Sequence, residues 1–400
     1  MGLVTKLQPN VTQQQNQNTD WNNFLKNKLV DSKQIGQSST QLQINQPITP
    51  KFRQMNQQVS QPINNQDTQL MNNRTSEQTN QQLINSFGQI IHPINQSVGQ
   101  SFVQSPNSVN YKITNQPISN DDKQYNAILA RLQTIVNVNK LHGFYQQQDL
   151  NRIAEKVSKI NFHDLMLKWN LGTLELAFDL ASLSLYDVII FADDSGSMIF
   201  YENGERIEDL KFILKEVSKI ATLFDDDGIL IRFLNSNQEF NSIKSEQEAI
   251  DAITNINFSG TTPLGINLTK KILEPIVYNL ARSNSLVKPI LIIIITDGEP
   301  DNKNDVRNAI YNSKKIMEST KYGSNSVAFE FAQVGKDKKA QEYLATLDKD
   351  PIIGKMVDAT SNYELEEQEF ANKGIQLRPH LWLLKMLLGA IDPSYDEQDE

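Results

Sequence analysis

The sequence predicts an α/β protein: a doubly wound, mostly parallel sheet flanked by helices, preceded by a helical segment and a long tail that builds no core. Three observations predict it. From Tyr186 onward, short apolar runs alternate with segments of helical period, the pattern of parallel strands joined by right-handed crossovers. Two of those runs, Val188 to Ala192 and Leu291 to Ile295, are apolar at every position, as strands covered on both faces are. The first 118 residues are dominated by Gln and Asn, and their sparse apolar residues follow no sustained period. Such a segment cannot bury enough surface to offset its ordering entropy.

Residues 1–118 are therefore expected to be disordered, with a prion-like composition that permits self-association. Within them, Trp21, Phe24 and Leu25 fall on one face of a short helical pattern, Asp20 to Leu29, a candidate docking motif. Order is expected from Ser119-Asn120-Asp121-Asp122, which offers N-cap residues and first-turn acids. Residues 119–185 read as a prelude of three helices. The first carries Tyr125, Ile128, Leu129, Leu132 and Ile135 at helical spacing, the second spans Gln147 to Ser158, and the third spans Thr173 to Leu185. Their apolar faces need cover, so the prelude is expected to pack on the sheet domain.

Residues 186–376 form that expected domain. Strands are predicted at Asp187–Ala192, Ile229–Leu234, Pro289–Ile295, Val327–Val334 and Met356–Ala359, with a short edge strand at Phe240–Ile243. Helices are predicted at Arg206–Leu223, from Ser245 through Ile253, from Gly265 through Leu280, at Asp301–Glu318 and at Lys338–Leu347. Residues 377–400 close the chain with a segment apolar on nearly every side, Leu377 to Ile391, and an acidic tail from Asp392. That segment is expected to be buried against the sheet or the prelude; a partner- or membrane-binding helix is the alternative, and the acidic tail disfavours an anionic membrane surface.

Composition narrows the function. A net charge of −9 argues against non-specific nucleic-acid binding, which needs clustered Lys and Arg. No cysteine is present, so no disulfide framework exists, which suits a reducing compartment. The N-terminus shows no apolar leader pattern, and the longest apolar run, Ile290 to Ile295, falls far short of the ~20 residues of a membrane helix. A cytoplasmic protein without a membrane span is expected.

The chemistry gathers in three stretches. Asp193-Asp194-Ser195-Gly196-Ser197 follows the first buried strand, Ser259-Gly260-Thr261-Thr262-Pro263-Leu264-Gly265 forms a turn, and Thr296-Asp297-Gly298 follows the second buried strand. In an open α/β sheet, ligands bind beyond the carboxyl ends of the strands. Carboxylates and hydroxyls delivered there suit a hard divalent cation such as Mg²⁺ rather than zinc or copper. Ser195 and Ser197, two apart on an extended loop, are expected to face the same way, with Gly196 allowing a tight turn.

This pattern, D-x-S-x-S, then a Thr-Pro turn, then T-D-G, resembles the metal-ion-dependent adhesion site of von Willebrand factor type A domains. The likeness covers roughly residues 186 to 360 and is nearest to the intracellular eukaryotic kind, fungal and protist members included, that carry a helical prelude and a Gln/Asn-rich or disordered tail. It implies a Rossmann-like fold and a metal held by Asp193, Ser195, Ser197, Thr262 and Asp297. Thr261 is the alternative threonine, and the spacing to Pro263 and Gly265 favours Thr262. The ion implied is Mg²⁺, with Mn²⁺ or Ca²⁺ as substitutes. Because only two formal charges face it, a partner's Asp or Glu is expected to supply the last ligand.

Other acids are read differently. Asp194 is expected to face away or bond backbone amides, Asp225 to Asp227 to form a solvated turn, and Glu299 and Asp301 to tune the site from behind. Enzyme signals are poor: His92, His142, His163 and His380 lie far in sequence from the metal motif, and no phosphate loop or H-E-x-x-H occurs. The expectation is a non-enzymatic protein-interaction module. Its rivals are a scaffold assembled by the Gln/Asn-rich tail with the metal incidental, and a metal-dependent hydrolase.

Overall fold

The fold is a computed structural model and describes residues 120–372 and 376–396. The Gln/Asn-rich tail and the Asp20–Leu29 motif lie outside the described residues, as do the last four residues of the acidic tail.

The prelude begins with α1 (Asn120–Val138), whose first turn carries Asp121 and Asp122, acids that complement the helix dipole. Then come α2 (Gln147–Val157), α3 (Phe162–Lys168) and α4 (Leu174–Asp179), and a 3-10 turn, Leu180–Leu185. Side-chain caps start α3 and α4: Asn161 accepts from the Asp164 amide and Thr173 from the Leu176 amide. The predicted third helix is thus two pieces. α3 was not predicted, since it is about two turns long with only Phe162 and Leu165 buried. Tightening into a 3-10 turn lets all six residues Leu180–Leu185 be buried just before the first strand.

Six strands form one sheet, in the order β3-β2-β1-β4-β5-β6. They are β1 (Asp187–Ala192), β2 (Ile229–Phe233), β3 (Glu239–Ile243), β4 (Ile290–Thr296), β5 (Val327–Gln333) and β6 (Val357–Thr360). All neighbours run parallel except β2 and β3, so the predicted edge strand is antiparallel. Strand alternation divides the apolar side chains between two faces. Val188 and Ile190 of β1, with Leu291, Ile293 and Ile295 of β4, share one core with the prelude. Ile189 and Phe191, with Ile290, Ile292 and Ile294, face a second core on the other side. Each such isoleucine contributes roughly 1.5–3 kcal/mol through burial, which is why both strands read as unbroken apolar runs.

Helices cover both faces. α5 (Ser197–Phe200) is a single turn, and α6 (Glu205–Phe224) and α7 (Glu246–Thr254, capped by Ser245) lie on the prelude side. The predicted helix from Gly265 is interrupted. α8 (Leu264–Leu268) passes into a π-helical stretch, Thr269–Tyr278, and ends as α9 (Asn279–Arg282). Pro275 sits inside that stretch; lacking an N–H, it cannot continue an α-helical ladder. α10 (Lys303–Glu318) and α11 (Lys338–Asp348) complete the second face. α12 (Tyr363–Asn372), not predicted, leads to the closing helix α13 (Pro379–Leu388) and the short α14 (Pro393–Asp396). α13 buries Leu381, Trp382, Leu383, Leu384, Met386, Leu387 and Leu388 in the prelude-side core. Asp392 is no solvated tail residue: it is buried and ion-paired with Arg131, while Tyr395 donates to Asp179. Among the described residues, no helix is long and apolar enough to cross a membrane.

Candidate metal centre

From β1 the chain steps outward through β2 to β3; it then returns to the other side of β1 for β4 and steps outward again to β6. The switch point is therefore the pair β1–β4, in register from Asp187↔Ile290 to Ala192↔Ile295. Asp193 continues that ladder by one step, its amide donating to the Ile295 carbonyl at 2.8 Å. Asp297 follows Thr296 at the end of β4. Two carboxylates leave the carboxyl ends of adjacent central strands at the place where such sheets bind ligands.

Four of the five predicted residues are bonded in one chain. Asp193 accepts from the Ser195 amide on one oxygen at 2.8 Å and from the Thr296 hydroxyl on the other at 2.7 Å. The Ser195 and Ser197 hydroxyls share a hydrogen bond of 2.9 Å, and Ser197 Oγ donates to Asp297 Oδ1 at 2.9 Å. The loop is not extended as expected. Gly196 has φ −62° and ψ −29°, so Ser197 opens the one-turn α5. The two hydroxyls meet because the backbone turns helically between them.

The fifth residue, Thr262, is held nearby through its backbone. The Gly196 amide donates to Gly260 O at 3.1 Å and the Ser259 amide to Asp194 O at 2.8 Å, pinning the threonine turn to the first loop. Asp301 pins it to the third: its Oδ1 accepts from the Thr262 amide at 2.9 Å and its Oδ2 from the Thr261 hydroxyl at 2.6 Å. Thr261 is exposed with its hydroxyl committed to Asp301; Thr262 is buried, and its hydroxyl makes no hydrogen bond among the described residues. The structure unites Asp193, Ser195, Ser197 and Asp297 directly and makes no side-chain bond from them to Thr262.

Gly265 ends this turn under tight constraint. A Cβ there would lie 2.2 Å from the Asp305 carbonyl carbon, so backbone, not a flexible side chain, would have to move. Gly265→Ala is expected to lose about 1–3 kcal/mol, the usual cost of overpacking. Chemical denaturation measures it, and an unchanged midpoint would show that α8 and α10 part without cost.

Three partners of the site were missed in the sequence. Thr296 was noted only as part of the motif, yet it fixes Asp193. Arg206 donates from Nη1 to Asp297 Oδ2 at 2.5 Å and from Nε and Nη2 to Glu202 Oε1. No local signal marks it: Arg206 opens an amphipathic helix 91 residues from Asp297. Glu202 also accepts from the Lys336 amide. It begins three successive left-handed residues, Glu202 (φ 54°), Asn203 (φ 51°) and Gly204 (φ 84°), of which the two with side chains cost roughly 1–2 kcal/mol each. The bonds to Arg206 and Lys336 hold that turn. Gly335 leaves room for them, since a Cβ there would meet Arg206 Nε at 2.5 Å.

Electrostatically the centre is short of positive charge. Burial, and secondly the Asp297 charge, push the Asp193 carboxyl up to about 7. Burial alone would depress the Arg206 guanidinium, but Glu202 and Asp297 more than offset it. The donor set is two carboxylates and up to three hydroxyls, with no nitrogen or sulfur, which fits a hard divalent cation. Among the described residues, no cluster of three or more His, Cys, Asp or Glu side chains is arranged to hold a metal; an ion here would rest on two carboxylates and the hydroxyls.

The remaining acids sort clearly. Asp194 faces away and accepts from the amides of Asn235 and Ser236 at 2.6 and 2.8 Å. Glu299 pairs outward with Lys303. Asp225 differs from the solvated turn expected: it is buried against Lys288 at 2.8 Å, with Asp226 and Asp227 exposed. His142 bonds Asn137, and the His380 ring packs tilted against Trp169 near Glu216. Comparison with protein-family models and with curated proteins finds no match for the chain.

Proposed function

We propose that the chain is a non-enzymatic protein-interaction module of the von Willebrand factor type A kind. In this reading Asp193, Ser195, Ser197, Thr262 and Asp297 hold Mg²⁺, or Mn²⁺ or Ca²⁺ in its place, and a partner's Asp or Glu completes the coordination. The observation that carries it is the unbroken bonding from Asp193 through Ser195 and Ser197 to Asp297 at the β1–β4 switch point. The doubly wound, Rossmann-like assignment is supported by helices on both faces and by that reversal of strand order. A cytoplasmic setting is supported by a chain without cysteine.

When bound, the ion supplies a Lewis-acidic position for an anionic oxygen. The chain's own residues prepare that position. Thr296 and the Ser195 amide fix both oxygens of Asp193, and Arg206 binds Asp297 Oδ2, leaving Oδ1 to accept from Ser197. Thr262 is favoured over Thr261 because the Thr261 hydroxyl is already engaged by Asp301.

The test is affinity capture with the parent and with the double variant Asp193→Ala, Asp297→Ala, each in Mg²⁺ and in EDTA, beside calorimetric Mg²⁺ titration. Partners retained by the parent in Mg²⁺ should be lost in the other three conditions. An identical partner set in all four, or no heat of Mg²⁺ binding to the parent, refutes the reading.

A further inference from the structure

The metal centre is rimmed by apolar side chains that the fold leaves uncovered. Ile199, Phe200 and Tyr201, on the turn that Ser197 opens, are 44%, 80% and 58% exposed, and Phe200 is the most exposed large apolar residue described. Their placement is specific. The Phe200 ring lies against Gly196, where a Cβ would sit 3.3 Å from its edge. The Tyr201 ring carries the Arg206 guanidinium at 5.0 Å from its centroid, and Arg206 in turn holds Asp297. Ile266, 57% exposed, follows Thr262 on α8. Phe200 and Tyr201 thus flank residues of the centre, and apolar neighbours of an incoming carboxylate would find cover on them.

We infer that the occupant is this chain's own N-terminal segment, Asp20-Trp21-Asn22-Asn23-Phe24-Leu25, with the Asp20 carboxylate completing the metal centre and Trp21 and Phe24 covering the rim. The inference rests on the metal-site reading. Residues 1–118 contain four acids, Asp20, Asp31, Asp67 and Glu77, and only Asp20 has an aromatic neighbour in the chain. A carboxylate with bulky apolar side chains beside it is what the centre and its rim would jointly select. The 94 residues 26–119 that join the segment to α1 reach up to ~300 Å when extended, so the tether does not limit access. Tethering also raises the local concentration of the segment, toward the mM range for short linkers and lower for this one, so a weak contact is enough. Occupation from within the chain blocks the site against outside partners; occupation by another copy links molecules through the tail.

Tryptophan accessibility tests this in the full chain. The other two tryptophans, Trp169 and Trp382, are buried, so acrylamide quenching reports chiefly on Trp21. Trp21 is expected to be shielded in Mg²⁺, with the shielding lost in EDTA, in Asp20→Asn and in Phe200→Ser. Light scattering assigns a shielded state to one chain or to two, either of which supports the proposal. Three results overturn it: calorimetric Mg²⁺ uptake with Trp21 equally quenched in Mg²⁺ and EDTA, which leaves the metal site standing and its ligand outside this segment; shielding that persists in EDTA or in Asp20→Asn, which removes the carboxylate bridge; and no Mg²⁺ uptake at all, which removes the metal reading as well.

Discussion

At pH 8, Glu330→Gln is expected to be more stable than the parent by about 1–3 kcal/mol, the scale of satisfying a buried polar group, and the advantage should vanish near pH 4. Glu330 lies in the middle of β5, directly opposite Asp358 of β6 in a parallel register. Both side chains point to the prelude-side face and are buried. Both oxygens of Glu330, one of Asp358 and the Thr360 hydroxyl lack a hydrogen-bond partner among the described residues. The closing segment packs against Asp358: a Cβ on Gly389 would lie 1.8 Å from Asp358 Oδ2, so only glycine fits there. Burial first, and the Asp358 charge second, raise the Glu330 carboxyl well above its ordinary value of 4.5. A folded pKa above the unfolded one means that the pair's stabilisation is complete below about 4.5 and is lost as pH rises toward the folded value. Lys385, the nearby cation, acts against the rise, but it is also paired with Glu366. Glutamine is neutral at every pH and its amide can donate to Asp358, so the difference between variant and parent isolates this one titration. Urea unfolding from pH 4 to pH 8 measures it; a difference that stays constant with pH would show that Glu330 is not the group responsible.

The same pair shows what a sequence can and cannot disclose. β4 was legible because seven residues in a row are buried, and that leaves an unbroken apolar run. β5 was legible despite Glu330, since Val327, Ala328, Phe329, Phe331 and Ala332 outweigh one acid, but nothing local says that Glu330 meets Asp358 from 28 residues away. The meeting of Asp193, Ser195, Ser197 and Asp297 was legible because each carboxylate follows a strand end, a local event, and topology then brings the strand ends together. Arg206 was not, because an arginine at the start of an amphipathic helix reads as solvated. α12 went unread for a related reason: its sequence, Tyr-Glu-Leu-Glu-Glu-Gln-Glu-Phe-Ala-Asn, carries too few apolar positions to mark a face. The break of the Leu264 helix into π-turns was signalled only by Pro275, which equally allows an ordinary kink.

Asp193→Asn should change stability with opposite signs in EDTA and in Mg²⁺. Without the ion, Asp193 and Asp297 are two buried acids at adjacent strand ends, with one guanidinium beside them that Glu202 also shares. Removing one charge relieves repulsion and desolvation together; the asparagine oxygen still accepts from the Ser195 amide, and its Nδ2 donates to the Thr296 hydroxyl, which can accept. Replacement of a buried charge by a neutral group of like shape is often stabilising, so a gain of about 1 kcal/mol is expected in EDTA at pH 8. With the ion the balance reverses. Mg²⁺ at about a hundred times its dissociation constant stabilises the parent by about 2.7 kcal/mol, and a site with one carboxylate left forfeits most of that. Asp297→Ala is expected to behave differently: it leaves Arg206 buried with only Glu202, at a cost of roughly 3 kcal/mol in EDTA, and in Mg²⁺ the forfeited ion stabilisation adds to that cost, so this variant is destabilised in both buffers. Thermal unfolding of the three proteins in EDTA and in excess Mg²⁺ separates the cases. If Asp193→Asn moved stability the same way in both buffers, the two carboxylates would be structural caps of β1 and β4, with no ion to answer to.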